Sequence, residues 1–209
     1  MVGRLVVACT IIYVVTFLLP APVAIELYER FAFVSARYTI AGAWRFDPIA
    51  YALGPITYQF LHGGLVHLLL NMAMLLAFGT PVERRMNASA FTVLYAVSGV
   101  AGAVAWLLFH PDSIAPLVGA SGAISGMVGA VGRVSLSSGP RDDMPFHNRN
   151  AAIAFVILWL VFNFVFGVIG LAIFGMEGQV AWEAHLGGFI AGFLLVGPFT
   201  RWAERRKAS

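Results

Sequence analysis

Residues 151–166 read AAIAFVILWLVFNFVF, sixteen positions without a charge, inside a longer uncharged gap that runs from Arg149 to Glu177. A hydrocarbon core about 30 Å thick takes about 20 apolar residues of helix to cross, and this gap supplies them. The run does not alternate polar with apolar residues, and neither does Leu68-Leu69-Leu70. A membrane β-barrel is thereby excluded, and only helices and closed barrels satisfy every backbone group in lipid. Working outward, five further gaps between charges have the length of a span: Arg4 to Glu26, Asp47 to Glu83 with a loop included, Arg85 to Asp112, Asp112 to Arg133, and Glu183 to Arg201. The expected class is all-α, a polytopic membrane protein built as a six-transmembrane-helix bundle, with residues 1–209 forming one domain.

Composition agrees. Hydrophobic residues make up 60% of the chain, charged residues 11%, and the mean hydropathy is +0.84; a soluble domain carries about a quarter of its residues charged. The single cysteine, Cys9, cannot close an intramolecular disulfide. The net charge of +3 reflects basic residues collected on one side of a bilayer, so no nucleic-acid partner is expected. With a cytoplasmic N-terminus, Arg4, Arg84, Arg85, Arg133, Arg141, Arg149, Arg201, Arg205, Arg206 and Lys207 fall inside, ten against the three outside, Arg30, Arg37 and Arg45. The positive-inside rule then places both termini in the cytoplasm. The apolar stretch before Cys9 is too short for a lipoprotein signal, so a retained first helix is expected over Leu5 to Leu19, ended by Pro20 and Pro22. No soluble domain is expected ahead of it. The short basic tail and lack of targeting elements suit a bacterial inner membrane. Residues 21–60 form one long loop rich in Phe31, Phe33, Tyr38, Trp44, Phe46 and Tyr51, read either as a structure partly inserted at the interface or as an ordinary packed loop.

Polar side chains at membrane depth are costly and face cavities or functional sites. Three clusters interrupt the apolar helices. The second helix opens with His62-Gly63-Gly64-Leu65-Val66-His67 and carries Asn71 on the same face as His67. The fourth begins with Gly119-Ala120-Ser121-Gly122, and the sixth with Ala184-His185-Leu186-Gly187-Gly188. Taken singly, Ser121 among glycines reads as close helix packing, and the histidines and asparagine as interhelical hydrogen-bond glue. Depth joins them. At about 1.5 Å per residue, Ser121 stands roughly 18 Å from Arg133, His185 roughly 24 Å from Arg201, and His67 roughly 18 Å from Gly79, where the second helix is expected to end before Pro81. All four polar residues then share a layer roughly 6 to 12 Å below the outer edge, within reach of water. A hydroxyl beside an imidazole is a nucleophile with its base. No carboxylate is available as a third member, Glu183 lying on a different helical face from His185. Backbone N–H groups near Ser121 and Gly122, with Asn71 and His67, are candidate donors to an oxyanion.

These residues carry a resemblance. Gly-Ala-Ser-Gly at 119–122, Ala-His-x-x-Gly at 184–188, His-x-x-x-x-His-x-x-x-Asn from His62 to Asn71, and Glu83-x-Arg85 together make the chain similar to the rhomboid intramembrane serine proteases over essentially its whole length. The resemblance implies a six-helix core, Ser121 as nucleophile, His185 as base, and an oxyanion hole from Asn71, His67 and the Ser121 amide. It adds His62 as a supporting histidine and Glu83 with Arg85 as a structural pair. Two departures are visible: Ser125 stands where some relatives bring an aromatic ring to the catalytic histidine, and Trp44-Arg45 lies too far from His62 to match the family's Trp-Arg element.

The expected activity is hydrolysis of a peptide bond in transmembrane protein substrates within the lipid bilayer, without metal or cofactor. The substrate reaches the site laterally past the fifth helix, whose Phe155, Phe162, Phe164 and Phe166 contribute bulk but no chemistry. Two rivals stand beside it: a channel or transporter using His62, His67 and His185 as a proton relay, and a catalytically inactive rhomboid-like protein that binds membrane helices.

Overall fold

The computed structural model describes residues 1–137, 146, 148–169 and 181–208. Glu177, which closes the fifth expected gap, and Arg141, one of the arginines expected inside, lie outside the described residues. The elements are α1 (Val2–Leu18), α2 (Ala21–Phe31), α3 (Ala36–Thr39), α4 (Pro48–Thr57), α5 (Leu65–Met74), α6 (Thr80–Arg84), α7 (Ala88–Phe109), α8 (Ser121–Leu136), α9 (Arg149–Ile169) and α10 (Trp182–Ala208). Among the described residues the one extended pairing is an antiparallel bridge between Phe33 and Leu117.

Four stretches are long and apolar enough to cross a membrane: Leu65–Arg84, Ala88–Phe109, Arg149–Gly167 and Trp182–Arg205. The other two expected spans are shorter, α1 with 17 residues and α8 with 16. At 1.5 Å per residue α8 covers about 24 Å of a core about 30 Å thick. It is also enclosed by protein, since every residue from Gly122 to Gly132 is buried.

Glycine explains how α8 is enclosed. A Cβ on Gly188 would stand 1.9 Å from the Gly122 carbonyl oxygen, and one on Gly192 1.8 Å from that of Gly126, so the α8 and α10 backbones touch. The pairs advance together along both helices, which therefore run parallel. On the other side Gly102 of α7 faces Gly122, while Ser98 faces Gly126. That order is reversed, so α7 runs antiparallel to α8. A core of Leu5, Leu68, Leu75, Phe91, Leu94, Met127, Val131 and Val196 fills the opposite half of the bundle.

Two expectations need correction. The second helix does not stop at Gly79: α5 runs through a π turn at Leu75–Gly79 directly into α6, which holds Pro81 in its first turn. A proline ring clashes with the carbonyl four residues back, and the wider π turn relieves that clash. The loop at 21–60 is largely helical, comprising α2, α3, a 3₁₀ turn at Ala43–Arg45, α4, and a second at Tyr58–Phe60. Asp47 caps α4, accepting the Ala50 N–H at 2.9 Å, and lies 3.2 Å from Arg30 of α2. Its aromatic residues divide: Phe33 is buried and packs on Tyr38 and Tyr58, whereas Trp44 and Phe46 are exposed.

Candidate active site

The chain enters α8 from an irregular segment pinned by two backbone bonds between Phe33 and Leu117 and by the Gly119 N–H, which donates to the Tyr58 carbonyl at 3.0 Å. Gly119 has φ +119°, a conformation that side chains disfavour. A Cβ there would also stand 2.8 Å from both Cε1 and Nε2 of His67 and 3.7 Å from Ser121 Oγ. The imidazole of His67 thus leans on bare backbone beside the Ser121 hydroxyl. Ser121 is the first residue of α8 and partly exposed. The leading N–H groups of a helix have no partner inside it and face its positive dipole end, which makes this end a donor site for an anion.

Asn71, one turn below His67, is buried and donates one amide hydrogen to the His67 carbonyl at 2.8 Å. An amide NH₂ carries two hydrogens, so one remains for a ligand. His185 lies in the first turn of α10, partly exposed. A cavity of about 390 Å³ opens between α5, α8, α9 and α10, and Ser121, His185, Asn71, Ser125, Asn163 and Trp159 are among the residues lining it. The structure therefore places Ser121, His185 and Asn71 in the lining of one cavity. His67 packs against Gly119, two residues before the serine. Gly122 packs behind the serine, where a Cβ would meet the Tyr58 hydroxyl at 3.0 Å.

His62 is one ring removed from the site. It is fully buried, with its ring 5.3 Å from that of His67 in an edge-on contact, and its carbonyl accepts from the Tyr28 hydroxyl at 2.5 Å. Glu183 turns away from His185, as its helical position implies, and lies 3.0 Å from His110 Nε2. Glu83 accepts the Val2 N–H at 3.0 Å and so ties α6 to α1. Arg45 stacks on its neighbour Trp44, away from the site.

One residue escaped sequence reasoning. Asn163 of α9 places Oδ1 2.7 Å from His185 Nδ1, so α9 brings a polar group to the histidine as well as apolar bulk. The available signal was a carboxamide in an otherwise apolar span. Of the phenylalanines on α9, Phe155 stacks on Phe78 and Phe164 meets Trp182 edge-on, while Phe162 lines the cavity.

A model of the rhomboid domain matches residues 50–202, a stretch that includes every residue of this site. The chain belongs to the rhomboid family. It is thus an integral membrane protein, and its relatives include named proteases. It is 34% identical over 153 residues to RHOMBOID-like protein 4 of Arabidopsis thaliana, covering 71% of this chain and 35% of that one. It is 34% identical over 133 residues to rhomboid protease GluP of Bacillus subtilis, covering 64% and 23%. With rhomboid protease GlpG of Yersinia pestis the identity is 28% over 192 residues, covering 90% and 59%. This rhomboid chain spans less than two thirds of the length of each of those relatives.

Proposed function

We propose that this rhomboid protein is an intramembrane serine endopeptidase that cuts transmembrane segments of membrane proteins, with Ser121 as nucleophile and His185 as general base. The observation that carries the reading is the meeting of a hydroxyl, an imidazole and a spare amide donor, from three different helices, on one cavity. Ser121 Oγ attacks the scissile carbonyl carbon and its proton passes to His185 Nε2. The C–N bond breaks as Nε2 returns that proton to the leaving amine, giving an acyl-enzyme. Water then attacks the ester, again losing a proton to Nε2, which finally reprotonates Ser121. The oxyanion of each tetrahedral step is held by the Asn71 amide, the His67 ring and the N–H groups at Ser121 and Gly122.

A peptide bond inside a helix is tied into the hydrogen-bond ladder, so the substrate must unwind locally, which glycine or proline near the cut favours. Access is lateral, past α9. The arginine-rich ends of the helices face the cytoplasm together with both termini, and the membrane is a bacterial inner membrane.

The test is intact-mass analysis after treatment with a fluorophosphonate, alongside cleavage of an unstable transmembrane model substrate. One adduct, located on Ser121 and lost with cleavage in Ser121→Ala and in His185→Ala, is the expected result. Wild-type protein that takes no adduct and cleaves nothing would overturn the proposal.

A further inference from the structure

We propose that Asn163 is the positioning residue of His185, so that the working unit is Ser121–His185–Asn163; the inference rests on the roles of Ser121 and His185 proposed above.

The contact between Asn163 Oδ1 and His185 Nδ1, 2.7 Å, does not by itself say which atom donates. A second contact decides it. Asn163 Nδ2 lies 2.9 Å from the carbonyl oxygen of Trp159, one turn back on α9, and a carbonyl only accepts. Reversing the amide would set oxygen against oxygen there, so Oδ1 is the atom that faces the ring. Oδ1 also only accepts, which puts the proton on Nδ1 and leaves Nε2 with its lone pair free. That is the tautomer a general base needs toward a serine.

Among the described residues no nearby alternative fills this role. Glu183 is buried and engaged with His110. Ser125 lines the same cavity one turn below Ser121 with a side chain of a single hydroxymethyl group. His67 packs against Gly119 and the ring of His62. A carboxamide suits the depth, because it orients the ring without placing a charge in the membrane. Throughout the reaction the Nδ1 proton stays on Nδ1. Asn163 exchanges no proton; it fixes the ring and accepts more strongly once the imidazolium has formed.

The plain rival is that Asn163 merely tethers α9 to α10. The test uses the full chain in proteoliposomes with a transmembrane model substrate and the variants Asn163→Ala and Asn163→Asp. Asn163→Ala should lower kcat about ten- to a hundredfold with KM changed less than about twofold, and should slow fluorophosphonate labelling of Ser121 in step. Its acid limb in kcat/KM should move to lower pH, since the imidazolium has lost an acceptor. Asn163→Asp should recover much of kcat and move the limb to higher pH, since a carboxylate stabilises the imidazolium. A tether would leave both limbs in place. Nitrogen-15 shifts of His185 in the resting wild-type protein should report a protonated Nδ1, a readout that needs no variant. A protonated Nε2, or an alanine variant with wild-type kcat and an unmoved limb, would overturn the inference while labelling at Ser121 leaves the nucleophile standing. Absence of any adduct on Ser121 in the wild type would remove the proposed roles of the site and this inference with them.

Discussion

Gly119 excludes a side chain for two separate reasons, its φ of +119° and the His67 ring 2.8 Å from where a Cβ would sit. Gly119→Ala must therefore strain the backbone by about 1–3 kcal/mol or push His67 away from Ser121. Either outcome disturbs the proposed oxyanion donors, so kcat is expected to fall about a hundredfold, the scale of losing one such donor. A steady-state cleavage assay checks this, with Gly3→Ala, whose added carbon meets nothing within 4 Å, as the control that should keep full activity. At this scale the sequence was readable where residue types are scarce. Ser121, His67, Asn71 and His185 stood out because polar groups at membrane depth are expensive, and span lengths alone put them in one layer. Asn163 met the same criterion but gave no hint of its partner. That partner is 22 positions away on another helix, and an asparagine in a span has the blander use of bonding its own helix, which its Nδ2 indeed does.

Among the elements, α8 and α10 are joined backbone to backbone at Gly122–Gly188 and Gly126–Gly192. Gly192→Ala would force a carbon to within 1.8 Å of a carbonyl oxygen, which no rotamer change relieves, because a methyl has none. Destabilisation of about 1–3 kcal/mol is expected from overpacking of this kind, read as a lower midpoint in equilibrium unfolding in mixed micelles. An unchanged midpoint would contradict the close contact. By contrast α9 is held loosely: 11% of its apolar window is buried, against 28–44% for the other three long spans. Charge-free gaps made legible the four stretches long and apolar enough to cross a membrane, while the first and fourth gaps hold the shorter α1 and α8. The end of the second helix was not legible, because Pro81 reads as a stop unless a π turn precedes it, and nothing in composition announces that turn. The helices of the 21–60 segment were hidden for a different reason: α3 and the two 3₁₀ turns are too short for any period to register.

For the molecule as a whole, the direction of each span explains its two unlike ends. α8 and α10 run in parallel, and α9 runs back, with Asn163 beside His185 and Trp159 stacked on Phe189, so Arg133, Arg149 and Arg201 gather at the end away from Ser121 and His185. Basic residues at one end and the proposed Ser121–His185 site near the other are a single consequence of that arrangement. The glycine seam between α8 and α10 carries a further one. Ser121 precedes its first contact by one residue and His185 precedes its own by three, so the spacing of their backbone positions is set by main-chain contact. Warming the protein should therefore leave turnover intact until the seam itself parts. Amide protons of α8 should exchange with deuterium last, those of α9 first, and loss of proteolysis should track the slow class. The proposed protease would thus have a stiff spine and a yielding flank, one side free to admit a bulky guest while the α8–α10 seam holds its place.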